Sequence, residues 1–350
     1  GQYLAIIFSA DSGRYHYGGH INRQGTIRGE MRMVSKSDLL VRYPFRSNKA
    51  KGGIKMFKKL MILGAAAAMF AATNANAADF YGTLAKIKET GTIVLGHRES
   101  SVPFAYIGPG GKPIGYSMDL CMEAVEAIEA ELGMKLNVKL VPVTPQTRIP
   151  LIANGNINIE CGSTTNNLTR QQQVDYAYTT FITGTKILTK KGSGIKEVED
   201  LAGKAIALAQ GTTNERAIKE SIEKLGIKDV KVLSVKDHAE GLLALETDRV
   251  DAYSTDHILL FGLIAKSKNP AAYEVVGRFL SFDPYALMLP RDDSAMRLVV
   301  NRTLAGLFRS GEIKDIYNKW FMSDIPGSQA LMVPMGDTLE TNFAVQAFPE

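Results

Sequence analysis

"NINIECGSTTNNLTR", residues 156–170, changes character halfway. Ile157, Ile159 and Cys161 alternate with more polar neighbours, the period-two pattern of a strand. At Gly162 the apolar side chains stop, and Ser163, Thr164, Thr165, Asn166 and Asn167 follow, with Arg170 closing the run. Hydroxyls, amides and a guanidinium crowded at one strand end are suited to hydrogen bonding rather than to core packing. The question is whether other strands of the chain end in the same way.

They do. "TIVLGH" (92–97) runs into Arg98, and "LNVKLVPV" (136–143) into Gln146, Thr147 and Arg148. "AIALAQ" (205–210) is followed by Gly211, Thr212 and Thr213, "VKVLSV" (230–235) by His238, and "VDAYSTD" (250–256) ends on Asp256. Between these strands lie helical patterns: 116–133, 148–155, 213–226, 238–249 and 257–267. In the first, Met118, Met122, Val125, Ile128 and Leu132 form the core stripe, and Gly133 stops the helix. After the strand "YALMLP" (285–290), residues 296–321 read as one long helix, and the tail beyond Ile325 as irregular chain wrapping back over the surface. The alternation gives an α/β fold with parallel-rich sheets and crossover helices on their faces. In such sheets ligands bind outside the strand C-termini. The ends here offer cations, hydroxyls and a carboxylate, which suits an anionic ligand that also carries an amine.

At these residues the chain resembles a known family. Gly96-His97-Arg98-Glu99, Gly115-Tyr116 with Asp119-Leu120, "ECGSTTNN" (160–167), Gly211-Thr212-Thr213, Lys236-Asp237-His238 and Asp256 are similar, in this order, to the type II periplasmic amino-acid-binding proteins. Within them the glutamate/aspartate-binding receptors of ABC importers are the nearest type, and the likeness spans residues 83–323. It implies a two-lobed flytrap, with residues 80–183 and 285–350 in lobe 1, residues 184–284 in lobe 2, and a hinge near Thr183–Lys186 and Phe282–Tyr285. It implies that Arg170 clamps the ligand α-carboxylate, aided by Ser163, Thr165 and Thr213, and that Asp256 takes the α-ammonium. Arg98, Arg148 and His238 would surround a side-chain carboxylate. An Arg fork matches two carboxylate oxygens, and Thr213 opens a helix whose free N–H groups favour an anion. Arg98, Arg148 and Arg170 against Asp256 leave +2, to be met by an acidic amino acid, since a carboxylate is buried only when paired. The chain departs from the pattern at Pro145, where the relatives often carry Ser, and at His257, where they often carry an acid; both leave the order of glutamate and aspartate open.

Plainer roles exist for each residue. Arg98 could pair with Glu99 or Asp119, Arg148 with a helix acid, Ser163 and Thr213 could be N-caps, His238 a helix-capping or surface residue, and Asp256 the cap of the helix after it. Their convergence on one set of strand ends favours binding. The partners that follow are L-glutamate or L-aspartate and the membrane permease of an ABC importer, with the receptor a monomer. One competing function is an exported dehydratase-like enzyme, for which Glu160 is the candidate general acid; another is a sensory receptor for amino acids. From Ala78 onward no nucleotide loop, catalytic triad order or metal-ligand spacing occurs, and the three histidines there, His97, His238 and His257, stand apart, so no cofactor or metal is expected.

A leader pattern sits at residues 56–77: Lys58 and Lys59 after Met56, an apolar run from Leu60 to Ala72, then Ala75-Asn76-Ala77. Residues 1–55 read as an untranslated upstream segment, with translation starting at Met56, or as a disordered extension; residues 1–50 show no sustained helix or strand period. Cleavage after Ala77 would release the product to the periplasm, without a lipid anchor, because no cysteine precedes Cys121. The whole chain carries 41 basic and 36 acidic residues, but residues 1–77 hold 12 of the former and 3 of the latter. The remaining 29 basic and 33 acidic residues give −4, so a nucleic-acid role based on net charge is excluded. Cys121 and Cys161 fall in a helix and a strand and read as two buried free thiols, with a bridge between them left open.

Overall fold

The computed structural model describes residues 80–349 and, ahead of them, the backbone of three strands. These are β1 (Tyr3–Ala10), β2 (Gly13–Ile21) and β3 (Ile27–Met33), paired antiparallel in the order β1-β2-β3. The sequence of this part shows no sustained strand period, yet it carries these strands. Neighbouring segments here pair by backbone hydrogen bonds, with Ile6 opposite Tyr17 and Gly18 opposite Glu30, and such pairing needs no alternating pattern to mark it. The leader, 56–77, lies outside the described residues.

From Gly82 the elements are α1 (Gly82–Thr90), β4 (Thr92–His97), β5 (Ser100–Ser101), β6 (Ala105–Ile107), β7 (Pro113–Ile114), α2 (Tyr116–Leu132), β8 (Asn137–Pro142), α3 (Arg148–Ala153), β9 (Ile159–Cys161) and β10 (Asp175–Thr183). Next come β11 (Thr185–Lys190), β12 (Ala205–Ala209), α4 (Thr213–Leu225), β13 (Lys231–Val235), α5 (His238–Glu246), β14 (Ala252–Asp256), α6 (His257–Lys266) and β15 (Tyr273–Val276). The chain ends with β16 (Asp283–Leu289), α7 (Ser294–Ser310), α8 (Glu312–Phe321) and α9 (Asp337–Gln346).

Two five-stranded sheets result, β10-β16-β9-β4-β8 and β13-β12-β14-β11-β15. The chain passes from the first to the second at Gly184 and returns between Val276 and Asp283. Each sheet is mixed. β4 is parallel to β8 and β9, and β12 to β13 and β14, whereas β16 and β11 run antiparallel to their neighbours. The antiparallel strands are those at the crossings, where the chain reverses between sheets instead of returning through a helix. Core residues cover both faces of both sheets, as crossover helices demand.

Three readings of the helices change. Met122 is 40 % exposed, because Cys121 takes the inward position and the next residue turns 100° away. The expected single helix over 296–321 is two, α7 and α8, broken at Gly311, whose φ of 85° no helix can carry. The tail is not wholly irregular: α9 buries Leu339 and Phe343, with Phe343 stacked on Phe308 at 4.6 Å between ring centroids. Two buried residues one turn apart are too little to announce a helix in sequence. The two cysteines are also corrected. Both are buried as expected, but α2 packs over the end of β9, bringing their Cα atoms to 6.1 Å, and they are joined as a disulfide.

Candidate functional site

Turns and caps deliver the site residues. Thr212 caps α4, its side chain accepting from Glu215 N at 3.0 Å while Glu215 accepts from Gly211 N. Thr213 is therefore the first helical residue, not the cap. Asp237 caps α5 in the same way, placing His238 at that helix's first position. Asp256 occupies the N-cap position of α6, but its side chain makes no capping bond. Gly211 has a φ of 78°, and a Cβ there would lie 2.9 Å from the Cα of Gln146 in the other lobe. Only glycine lets the two backbones meet so closely.

The eight residues singled out from the sequence come together along one seam between the sheets. On the first side, Arg98 (1 % exposed) stands at the end of β4 and Arg148 (2 %) starts α3. Arg148 Nη1 donates to Thr164 Oγ1 at 2.7 Å and to the Ser163 carbonyl at 3.2 Å, leaving its Nε without a partner. Arg98 Nη2 is also buried and unpartnered. Neither pairs with the acids proposed as plain partners, and Asp119 instead binds Lys319 and Trp320. Burial and the neighbouring Arg148 push the Arg98 pKa down to about 10, still charged at neutral pH. Arg170 donates from Nη1 to the Thr165 carbonyl (2.9 Å) and from Nη2 to the Gly211 carbonyl (3.0 Å), the second bond crossing between lobes. A guanidinium carries five N–H donors, so these two bonds do not exhaust it. Ser163 Oγ donates to Ser101 Oγ at 3.1 Å.

On the second side, Asp256 accepts from Asn214 Nδ2 at 2.9 Å and from the Tyr285 hydroxyl, the latter across the seam. Its pKa is pushed up to about 7, first by burial and then by the nearby Asp283. His238 is buried, not superficial; its Nδ1 shares a 2.7 Å hydrogen bond with the Tyr253 hydroxyl. Burial and then Arg98 and Arg148 drive its pKa well below the usual value, so the imidazole is neutral at pH 7. Thr213 Oγ1 lies 3.4 Å from Thr165 Oγ1, which donates to Asp283 at 2.9 Å. A cavity of about 290 Å³ adjoins them, lined by Thr165, Thr213, Ser281 and Asp283. His257 is elsewhere, packed edge-on against Phe261 and Phe279.

Sequence reading missed Tyr253, Tyr285, Asn214 and Asp283, and named Thr164 at its strand end without giving it a role; these hold the predicted residues in place. Tyr253 and Tyr285 sit inside strands, where nothing local distinguishes a site tyrosine from a core one. Asn214, beside the Gly211-Thr212-Thr213 turn, was the one with a signal. Buried Glu160 and Asp283 also correct the charge count: three arginines face three carboxylates, a formal net of zero instead of +2.

The model of the bacterial extracellular solute-binding proteins, family 3, matches residues 93–323. The chain belongs to this family. As a family 3 solute-binding protein it has the two-lobed type II periplasmic-binding-protein fold, one sheet to each lobe. It is 46 % identical over 264 residues to the L-glutamate/L-aspartate-binding protein of Pseudomonas aeruginosa, covering 74 % of this chain and 86 % of the relative. It is 42 % identical to the glutamate/aspartate import solute-binding protein of Escherichia coli, covering 70 % and 81 %. An ancestral arginine-binding protein bound to glutamine superposes with a TM-score of 0.59 at 29 % identity, over 66 % of this chain and 98 % of that one. The names of these relatives and of this neighbour record different amino acids.

Proposed function

We propose that this protein is a periplasmic receptor that captures acidic amino acids, L-glutamate or L-aspartate, and hands them to the permease of an ABC importer. One observation carries the choice of acidic over neutral ligand: two buried guanidiniums, Arg98 and Arg148, with unpartnered donors and no carboxylate within 4.0 Å among the described residues. A buried cation left in that condition is costly, and a ligand carboxylate removes the cost. Arg170, Thr165 and Thr213 suit the α-carboxylate, and Asp256 the α-ammonium. The relatives named for glutamate and aspartate support the same reading.

The mechanism is capture by closure. Lobe 1 offers Arg98, Arg148, Ser163, Thr165 and Arg170 to an incoming ligand. Thr213, His238 and Asp256 reach it only once the lobes meet, so the ligand favours the closed form by those added contacts. The bonds Arg170–Gly211 and Tyr285–Asp256 span the seam and suit the closed arrangement. The receptor acts as a monomer and performs no chemistry on its ligand; Glu160, the candidate general acid, accepts from Thr164 through one oxygen and lies behind it. The test is calorimetric titration of refolded, ligand-stripped protein with glutamate, aspartate, glutamine and a neutral amino acid. Binding of both acids, with glutamine weaker by about a hundredfold or more, is expected from losing charge-assisted bonds in a buried site. No heat from either acid would end this reading.

A further inference from the structure

The side-chain end of the site contains a charge that the ligand does not need for contact. Glu160 is fully buried on β9, and its charge is felt by Arg98. Its Oε2 accepts from Thr164 Oγ1 at 2.5 Å, and that hydroxyl accepts from Arg148 Nη1 at 2.7 Å, so the carboxylate orients Arg148 through one bridging group. Its Oε1 has no partner. A Cβ on Gly162 would lie 2.2 Å from Glu160 Oε1 and 2.9 Å from Arg98 Cγ, so carboxylate and arginine stem converge on one bare stretch of backbone. The remaining titratable groups that feel Glu160 are Arg170 and Tyr176.

We propose that Glu160 is a specificity-determining residue that fixes this half of the site at one net positive charge, limiting it to ligand side chains that end in a single negative charge. The inference rests on the acidic-amino-acid reading above. Arg98 and Arg148 alone would present +2 to a ligand. Such a pocket would prefer a dianion, since one carboxylate would leave a buried cation unmatched. With Glu160 between them the sum is +1, which one carboxylate neutralises. A dianionic terminus would leave an uncompensated buried negative charge, and an amide an uncompensated positive one. Thr164 adds a geometric constraint, because the same hydroxyl that binds Glu160 fixes the Arg148 fork.

The test compares L-glutamate with L-2-amino-4-phosphonobutanoate, whose terminal group carries one negative charge in mild acid and two in mild alkali. Affinities for both, measured by calorimetry, are taken at about pH 5.5 and about pH 8.5, on either side of a second ionisation for which the phosphate value of ~6 is a guide. Expressing each phosphonate affinity relative to glutamate at the same pH cancels the titration of Asp256, which both ligands share. In the wild-type protein the ratio should fall by about tenfold or more from acid to alkali, as expected for burying an excess charge. In Glu160→Gln the fall should vanish or reverse. Thr164→Val, which breaks the bridge but keeps every charge, should weaken glutamate about tenfold yet preserve the wild-type dependence of the ratio. A wild-type ratio that is flat or rises with pH overturns the proposal, even if neither variant folds. So does a folded Glu160→Gln protein, shown by a cooperative thermal transition, with the wild-type fall intact. Wild-type protein that binds no glutamate would instead defeat the receptor reading itself.

Discussion

The two lobes contribute opposite kinds of half-site. Lobe 1 brings the cations, and it holds Arg148 from within: its partners Thr164 and the Ser163 carbonyl, and Glu160 behind Thr164, all belong to the same lobe. The strand that carries this cluster is further pinned to α2 by the Cys121–Cys161 disulfide, next to Gly162 and Ser163. Lobe 2 brings the carboxylate Asp256, which is held partly from its own lobe by Asn214 and partly from the other by Tyr285. On the function proposed above, lobe 1 would be a standing receptor for a carboxylate, and the lobe 2 half-site would be completed by closure. The difference suggests that discrimination among side chains resides in the first lobe, and that coupling of binding to closure resides in the second.

The largest effect should come from the preformed half. Arg148→Ala should weaken glutamate by about 3–5 kcal/mol, the cost of leaving a buried charge unpaired, and glutamine much less. Equal losses for the two ligands would remove side-chain discrimination from lobe 1. Next comes the staple. Replacing both cysteines by serine should lower unfolding stability by about 2–4 kcal/mol for a bridge spanning 40 residues, measured by denaturant titration, with the glutamate/glutamine ratio unchanged. A shift in that ratio would mean the disulfide also sets the position of the arginines.

Asp256→Asn should weaken every amino acid alike, by about 2 kcal/mol, through loss of a charge-assisted bond to the ammonium. It should also remove a pH dependence. With its pKa raised from 3.8 to about 7 by burial and then by Asp283, Asp256 binds more protons folded than unfolded between those values. Its contribution to ligand-free stability is thus fullest below about pH 4 and is lost as pH rises through about 7. The ligand's ammonium reverses the preference, so binding near pH 7 should release protons and weaken as pH falls. Calorimetry in buffers of different ionisation enthalpy measures that release, and none in wild-type protein would exclude Asp256 as the ammonium's partner. The smallest effect is expected at the seam: Gly211→Ala should weaken all amino acids by about 1–2 kcal/mol, because the left-handed φ of 78° and the contact with Gln146 both resist a Cβ. If it weakens glutamate alone, the contact belongs to side-chain selection and not to closure.

Much of the fold and of the site is legible in the order of residues alone. The strand ends that face the seam are readable because polar residues interrupt apolar periodicity there, and the helices between them because burial imposes a 3.6-residue repeat. Arg98, Arg148, Arg170 and Asp256 stand out for that reason: Arg98 directly follows β4, Asp256 ends β14, and Arg148 and Arg170 stand in the polar stretches after β8 and β9. The tail helix α9 is not legible, since it depends on contacts made far along the chain, whereas the break at Gly311 had a local signal, a glycine in the left-handed region, that the apolar pattern on either side masked.

Local sequence by itself determined where strands and helices lie and which residues could supply charge to a ligand. Pattern depends only on near neighbours, and near neighbours are fixed by covalent order. Tertiary structure alone decided what those charges amount to. Glu160 and Asp283 enter the site, Tyr285 reaches Asp256 from the opposite lobe, and Cys121 meets Cys161, because sheets bring together groups from distant positions. The charge of a buried site is a sum over everything within a few ångströms, and that sum is not written in any one stretch of the chain.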